Sequence, residues 1–265
     1  MAKEIVKKSN VLATAAYTVT LAEQRLILLA IVQGNGDKEA LKQVEIHASQ
    51  YADKYKVTPS AAYKALHEAS LQLFERRFSY QEEGKRGPIT RMRRWVQGVD
   101  YGEADGILRL IFSDDVLPSL CELHDRFLYY GLEQVADLTS VHAVRLYELL
   151  IAWRSTGKTP VIKVADLRRQ LGIEPDEYGR MTDFKRRVLD FAIKQINEHT
   201  DIKASYIQHK RGRSITGFEF SFTAKANAGT KRKTISKSKA EAMARPGESY
   251  SDLYKRLSRE YIIKE

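Results

Sequence analysis

One order of predicted elements occurs twice along this chain, and it restricts the fold more than any other feature of the sequence. In residues 20–112 the hydrophobic periodicity predicts a helix, a short strand, a short helix, a long helix and a β-ribbon. In residues 141–222 it predicts a helix, a short strand, a short helix, a long helix and a hairpin. This order is that of a winged helix-turn-helix domain, so the predicted fold class is α+β with two tandem winged-helix domains.

The first copy starts with a core helix over residues 20–33, where Thr20 and Glu23 stand at the spacing of a capping box. A short strand and a short helix follow at residues 44–46 and 49–55. The next helix, over residues 60–78, is amphipathic, and its predicted buried stripe contains Tyr63, Leu66, Leu73 and Phe74. Strands are then predicted at residues 78–82, 91–99 and 107–112.

The second copy starts with a helix over residues 141–154. A short strand, a short helix and a turn follow at residues 161–164, 166–171 and 173–180, and Gly172 is a predicted left-handed C-cap. The second long helix runs from Thr182 to about His199, before a hairpin at residues 202–209 and 214–222. Phe218, Phe220 and Phe222 alternate with polar residues in its last strand, which predicts one buried face.

The chain has 265 residues, 43% of them hydrophobic, which is enough for two modest cores. We expect an N-terminal winged-helix domain over residues 1–135, a C-terminal winged-helix domain over 136–224 and a tail over 225–265. The first part of the tail has many lysines among Ala, Gly, Ser and Thr, which is typical of a flexible segment. Helical spacing predicts a short helix near the end of the tail, through Leu253, Leu257 and Tyr261.

The charge of the chain favours a polyanionic partner. Lys and Arg number 44 against 34 Asp and Glu, which gives a formal net charge of +10 at pH 7 and a pI near 9.5. Nucleic acid is the polyanion that such a balance indicates first.

The long helix of the second copy separates an apolar face from a cationic one. The predicted apolar face consists of Phe184, Val188, Leu189, Ala192, Ile193 and Ile196. The opposite face carries Arg186, Arg187, Asp190, Lys194 and Asn197. Cations near a helix N-terminus oppose the helix dipole, so a phosphate or base edge is one explanation for them and a solvated charged face is the other. The candidate DNA-binding residues here are Arg180, Thr182, Lys185, Arg186, Arg187 and Lys194.

Two further basic clusters lie on predicted β-structure. Lys210, Arg211 and Arg213 surround Gly212 at the tip of the second hairpin, where they suit either a DNA-binding wing or an ordinary surface turn. In the first copy, candidate phosphate contacts are Lys85, Arg86, Arg91 and Arg93. The alternative for this first-copy cluster is that its charges keep an edge strand soluble, and the two explanations weigh equally.

Several other classes of protein are disfavoured by the sequence. The N-terminus lacks the apolar core of a secretion signal, and the apolar run at residues 26–32 is too short to cross a bilayer, so we expect a cytoplasmic protein without membrane contact. The single cysteine, Cys121, cannot form an intramolecular disulfide. Because the six histidines show no metal-ligand spacing, no metal and no cofactor are expected.

Enzyme motifs are also incomplete. Gly157, Lys158 and Thr159 lack the earlier glycine of a P-loop, because position 152 is Ala152. Asp114 and Asp115 follow Ser113 in the composition of a helix start, which we favour over a magnesium site. The histidine pair of a rolling-circle nickase is missing, although the 14 tyrosines leave a nucleophile open by number alone. We therefore expect a protein that is not an enzyme.

Four segments resemble the iteron-binding plasmid replication initiators, of the type found in the F plasmid. They are residues 17–28, 144–150, 183–189 and 196–200. The resemblance implies that the second winged-helix domain recognises part of a directly repeated origin site, with Arg180, Lys185, Arg186 and Arg187 contacting bases. It also implies that the first domain contacts an adjacent stretch, through residues that the resemblance does not assign.

The resemblance further implies a bacterial protein that exists as monomer and dimer. The dimer, joined through the first domain, would repress the protein's own gene at an operator, whereas monomers would load on the repeats and help to melt the origin. The host replication initiator and the replicative helicase would then be partners. A transcriptional repressor without initiator activity and an origin nickase are the alternative functions.

Overall fold

The computed structural model describes residues 4–102, 106–121, 127–225, 233–236, 241, 253 and 261–264. They belong to two compact units, the first ending at Ala224 and the second starting at Lys225, and each unit is described by itself. Within the described ranges, every helix is too short or too polar to cross a lipid bilayer.

The first half of the larger unit begins with a strand and then consists mainly of helices up to residue 75. Its first elements are β1 (Ile5–Ser9), α1 (Asn10–Thr14), α2 (Leu21–Gly34), α3 (Lys38–Lys42), β2 (Val44–His47), α4 (Ala48–Tyr55) and α5 (Pro59–Glu75). Thr20 and Glu23 form the predicted capping box on α2, and the Thr58 hydroxyl caps α5. Most of α2 is buried, so this helix forms the centre of the first half.

The strands after α5 belong to separate sheets. β3 (Arg77–Gly84) pairs with β4 (Gly87–Arg94) as an antiparallel ribbon, whereas β6 (Ile107–Phe112) lies between β2 and β5 (Val96–Gly102). A 3₁₀ turn (Leu117–Ser119), β7 (Phe127–Gly131) and α6 (Glu133–Ala136) follow. β7 pairs with β1 near the chain start, a contact that the periodicity did not predict.

The prediction of one strand over residues 91–99 is wrong, because the chain bends at Trp95 between β4 and β5. The Trp95 side chain is fully buried, with its ring centroid 5.0 Å from that of Tyr17 and 5.1 Å from that of Phe78. Burying this large indole in the core fixes the bend, and β4 therefore pairs with β3 while β5 joins the other sheet.

The stripe predicted for α5 is correct except at one position. Leu66 and Leu73 are buried and Tyr63 is half-buried, but Phe74 is 39% exposed. Phe74 lies one residue before the end of α5, where the Arg94 guanidinium stands 5.8 Å from its ring and donates to its carbonyl oxygen at 2.7 Å. Arg94 thus partly covers a ring that the core does not enclose.

The second half reproduces the predicted order of elements. They are α7 (Val141–Ile151), β8 (Ile162–Lys163), α8 (Val164–Gln170), α9 (Met181–Asp183), a π-helical segment (Phe184–Asp190), α10 (Phe191–His199), β9 (Ile202–Arg211) and β10 (Ser214–Ala224). Residues 181–199 form one continuous helix, which we term the basic helix. β10 is the middle strand of the sheet β8-β10-β9. The hairpin of β9 and β10 is the wing.

The apolar face of the basic helix is buried as predicted, and part of it contacts the wing. Phe218 and Phe220 are fully buried, and the Phe184 ring meets Phe218 edge-on at a centroid distance of 6.0 Å. Burial of each such side chain stabilises the half by about 1.5–3 kcal/mol. Gly172 has the predicted positive φ, +73°, and a Cβ there would stand 2.5 Å from the Tyr17 carbonyl oxygen, so glycine allows the two halves to touch.

A buried ionic cluster joins the two halves. Lys8 Nζ on β1 lies 2.9 Å from both carboxylate oxygens of Glu148 on α7, and the Tyr130 hydroxyl donates to the same carboxylate at 2.7 Å. Lys8 and Glu148 are both fully buried. Burial, followed by the nearby Glu148 charge, raises the pKa of Tyr130 well above its usual range, so its hydroxyl stays a donor.

Arg145, one turn before Glu148 on α7, completes the cluster. Its guanidinium donates to the carbonyl oxygens of Ala15 and Gln170, each at 2.7 Å, and stands 3.7 Å from the centroid of the Tyr17 ring. These contacts connect the chain before α2 to the end of α8. The boundary at residues 135 and 136 between two domains stays a prediction, because both sides belong to one compact unit.

In the smaller unit, β11 (Lys233–Ser236) pairs in parallel with β12 (Tyr261–Lys264). Leu253 lies in a helix and is buried, but the prediction of a helix that reaches Tyr261 is wrong because Tyr261 begins a strand. The strand pairing joins residues distant in sequence, which helical spacing does not detect. Leu257 and most of the stretch predicted to be flexible lie outside the described residues.

Candidate nucleic-acid interface

The basic helix presents its cations to solvent over the part nearest its N-terminus. Arg186 is 72% exposed and Arg187 is 63% exposed, whereas Phe184 and Val188 on the opposite side are buried. Lys194, farther along, is also exposed. The predicted separation of faces is therefore correct for these cations and for the buried apolar residues, but it is wrong at Asn197, which is half-buried and bonds Ala204 on β9.

The π-helical segment, residues 184–190, contains the three consecutive cations of this helix. The sequence predicted an uninterrupted α-helix here, and that prediction is wrong in this detail. A π-helical turn is wider than an α-helical one and occurs often at functional sites. In this segment Phe184, Val188 and Leu189 are buried, whereas Arg186 and Arg187 are exposed.

Asp183 lies beside both exposed arginines. Its Oδ1 is 3.4 Å from Arg186 Nη2 and 3.8 Å from Arg187 Nε. Exposed pairs of this kind contribute at most about 1 kcal/mol. A phosphate or a base edge can therefore replace Asp183 as the partner, while the carboxylate holds the free guanidinium groups near the N-terminal end of the helix.

Lys185 differs from its arginine neighbours. It is half-buried, and its ammonium group donates to Gln208 Oε1 on β9 at 3.0 Å. Two further contacts fix the helix to the same strand: the Tyr206 hydroxyl donates to Asp190 at 2.6 Å, and Asn197 bonds both backbone groups of Ala204. Lys185 thus orients the helix on the wing, and base contact by Lys185 stays a prediction.

In the turn before the basic helix, Arg180 is exposed to solvent. The side chain of Arg168 stabilises this turn through hydrogen bonds to its backbone. The Arg168 guanidinium donates to the carbonyl oxygens of Glu177 and Tyr178, the latter at 3.1 Å, and stands 5.3 Å from the Phe184 ring centroid. Arg180 is the N-cap residue of α9, and Thr182 is exposed in its first turn. The sequence did not indicate this structural role of Arg168.

The wing tip, residues 210–213, carries exposed cations. Lys210, Arg211 and Arg213 are all exposed, and within the part of the chain that the structure describes none of them pairs with a carboxylate. Gly212 has φ of +62°, which forms the turn between β9 and β10. The tip therefore presents cations that neighbouring acids do not neutralise.

The first-half candidates separate into paired and unpaired cations. Arg91 lies 2.8 Å from Glu82, and Arg93 lies 3.0 Å from Asp115, with both arginines half-buried. The Glu82 carboxylate raises the pKa of Arg91 above its usual value, and burial opposes this shift only partly. Lys85 and Arg86, in the turn of the β3–β4 ribbon, are exposed and have no carboxylate partner among the described residues. These two suit a phosphate contact better than the paired arginines do.

The residues of the rejected enzyme motifs have structural partners. The backbone N–H of Thr159 bonds the carbonyl oxygen of Phe220 at 3.0 Å, and its hydroxyl accepts from the Phe220 N–H at 3.1 Å. Lys158 pairs with Glu219, so the Gly157–Thr159 triplet holds the sheet of the second half. Across the described residues, no group of three or more His, Cys, Asp or Glu side chains could hold a metal ion.

The sequence matches two family descriptions in tandem. Residues 5–151 match "Initiator Replication protein, WH1", and residues 163–222 match "Initiator Rep protein, WH2". The chain is 27% identical over 222 residues to a replication initiation protein of Escherichia coli, covering 80% of this chain and 67% of that protein. It is 24% identical over 253 residues to the PI protein of Escherichia coli, covering 83% of each.

A solved structure shares the fold. The crystal structure of the Pi initiator protein in complex with iteron DNA is similar with a TM-score of 0.68 and 22% identity, covering 85% of this chain and 99% of that chain. Together with the two family matches, this likeness confirms the predicted α+β fold of two tandem winged-helix domains.

Proposed function

We propose that this chain, which belongs to the initiator replication protein family, starts plasmid replication. It would do so by binding directly repeated origin DNA, as the plasmid initiators that it resembles do. The observation that carries this proposal is the basic helix, whose arginine side faces solvent while its apolar side is buried on the wing. An exposed cationic helix beside a cationic wing has the shape and charge that the major groove of a duplex accepts.

In the proposed complex, each part of the interface has its own role. Arg186 and Arg187 enter the major groove and bind guanine O6 and N7 with their forked donors. Thr182 and Lys194 flank them on the same helix, and Arg180 lies at its N-cap. The wing tip follows the sugar-phosphate backbone or the minor groove. In the first half, Lys85 and Arg86 bind phosphates of an adjacent stretch.

The proposed initiator carries out no chemistry on the DNA. Binding of monomers to the repeats bends and opens the origin, and the host replication initiator and replicative helicase are then recruited. A dimer of the same chain represses its own gene at an operator. These steps take place in the bacterial cytoplasm, and the resemblance to plasmid initiators supports them.

The proposed function is tested by footprinting the purified protein on the DNA that flanks its own gene. We expect protection of evenly spaced direct repeats, and we expect a supercoiled plasmid with these repeats to stay intact when the protein and magnesium are added. Nicking would indicate an origin nickase instead. Protection without support of plasmid replication in cells would indicate a repressor and would contradict the initiator role.

Lys210→Ala is expected to weaken binding to repeat DNA and random DNA by similar factors, because a wing-tip lysine contacts phosphate and not bases. The plot of log affinity against log salt concentration should lose about one unit of slope. Fluorescence anisotropy with labelled duplexes at several salt concentrations measures both quantities. Lys203→Ala is the matched control, since Lys203 is an exposed lysine at the opposite end of β9; a loss confined to repeat DNA would show that Lys210 recognises bases.

A further inference from the structure

A cleft between the two winged-helix halves is lined by arginines from both of them. Its volume is about 840 Å³. Arg76 and Arg77 contribute from the first half, and Arg168 and Arg169 contribute from α8 of the second half. Two acids, Glu75 and Glu174, also line it.

The two walls of this cleft are fixed to a common floor, residues 16–18. On one side, Ala16 and Ser79 of β3 exchange both backbone hydrogen bonds at 2.8 Å. On the other side, Gly172 approaches the Tyr17 carbonyl oxygen so closely that any side chain there would clash with it. Both walls therefore lie directly against residues 16–18.

Two of the four arginines already have structural partners. Arg76 Nε lies 2.8 Å from the carboxylate of Glu23, which is fully buried, and Arg168 holds the turn before the basic helix. Removing Arg76 would leave the buried Glu23 carboxylate without its counter-charge, and removing Arg168 would take a donor from two carbonyl groups. Arg76 and Arg168 therefore belong to the framework of the cleft.

The other two arginines are available to a ligand. Arg77 is exposed and has no carboxylate partner among the described residues; its Nη1 is 4.0 Å from Met92 Sδ. Arg169 is 54% exposed and pairs at 2.9 Å with Asp166, a half-buried residue one turn earlier on α8. Such a surface pair is weak, so a phosphate can compete for the guanidinium. Glu75 has its own partner in Arg94, at 3.5 Å.

The cleft lies at the start of the turn that leads into the basic helix. Pro175 lines the cleft, and Arg180 at the other end of the same turn lies beside Arg187 around a shallow depression. Five residues span at most about 18 Å. This distance corresponds to about five base pairs at 3.4 Å each, so a strand leaving the basic helix reaches the cleft within half a turn of DNA.

We propose that Arg77 and Arg169 bind phosphates of one DNA strand from opposite walls of this cleft. The inference rests on the proposed function and extends it, because it assigns DNA contacts at the junction between the halves. A strand held from both walls fixes both winged-helix domains on one continuous stretch of duplex. Such phosphate contacts fix the position of the protein along the duplex without recognising the base sequence.

The experiment is a salt titration of binding from 50 to 200 mM with the repeat duplex that the wild-type protein protects. We expect Arg77→Ala and Arg169→Ala each to lower the slope by about 0.9, so that affinity changes about 3.5-fold less over this range, and the double variant to lower it by about 1.8. Arg77→Lys and Arg169→Lys should retain the wild-type slope, because the charge remains. Arg109→Ala is the control, an exposed strand arginine paired with Glu45 at 2.9 Å in another sheet.

A wild-type slope in either alanine variant, or an equal loss in Arg109→Ala, overturns the cleft assignment. Arg187→Ala separates this failure from failure of the proposed function. If the wild-type protein binds the repeats and Arg187→Ala weakens that binding while the cleft variants do not, only the cleft assignment is wrong. If the wild-type protein protects no DNA, both proposals are wrong.

Discussion

Glu148→Gln is expected to lower the free energy of unfolding by about 3–5 kcal/mol, because it leaves the buried Lys8 ammonium without its counter-charge. Lys8 and Glu148 are both fully buried, so water cannot take the place of the missing carboxylate. At about 2–4 °C per kcal/mol for a chain of this size, Tm should fall by about 6–20 °C. Thermal unfolding followed by circular dichroism measures the shift.

A double-mutant cycle measures the interaction energy between Lys8 and Glu148. Lys8→Met removes the cation with a side chain of similar length, and Lys8→Met combined with Glu148→Gln should recover part of the lost stability. Glu45→Gln is the control, because Glu45 pairs with Arg109 at the surface and its loss should cost less than about 1 kcal/mol. A Glu148→Gln effect as small as that of the control would show that the cluster does not hold the halves together.

Arg186→Ala and Arg187→Ala are each expected to cost about 1–3 kcal/mol of binding to repeat DNA, which is about 5- to 150-fold in affinity. The loss on random DNA should be smaller, because only the repeat offers the guanine edges that the forked donors recognise. Both side chains are exposed, so the unfolding temperature should stay at the wild-type value. Competition binding with repeat and random duplexes gives the two losses side by side.

Arg154→Ala serves as the matched control for these two variants. Arg154 is a half-exposed arginine of the same half, but it pairs with Asp201 at 2.7 Å and lies in the turn after α7. We expect it to bind both duplexes as the wild-type protein does. Equal losses on repeat and random DNA for Arg186→Ala and Arg187→Ala would instead indicate that both residues contact phosphate.

Features that depend on neighbouring residues could be predicted from the sequence. The capping box at Thr20, the positive φ of Gly172 and the inward Phe218 and Phe220 all follow from local periodicity or local backbone geometry. The two faces of the basic helix follow from the same kind of pattern. Because each winged-helix half consists of such local elements, the fold class follows from the amino-acid sequence alone.

Features that depend on distant residues could not be predicted. Lys8 and Glu148 are 140 positions apart, and a lysine near a chain start gives no local sign of complete burial. The pairing of β1 with β7 and the bend at Trp95 likewise result from packing across the first half. The π-helical segment differs from an α-helix by one widened turn, which hydrophobic spacing does not distinguish.

In the candidate site, too, the sequence predicts local features but not contacts between distant residues. A sequence shows which residues are cations but not which of them already have a partner. Arg91 and Arg93 pair with acids across the ribbon and beyond it, and Lys185 bonds Gln208, whereas Arg186 and Arg187 stay exposed. The cleft that brings Arg77 and Arg169 together could not be predicted, because it exists only where the two halves meet.

Tethered cleavage of DNA tests the placement of the basic helix most directly. The native thiol of Cys121 is buried, and burial raises its pKa, so an iron chelate attaches selectively to a thiol introduced by Arg187→Cys. We expect strand cleavage within a few nucleotides inside every protected repeat, and none from a chelate placed by Arg154→Cys. Cleavage outside the repeats, or the same pattern from both positions, would contradict a basic helix bound in the groove.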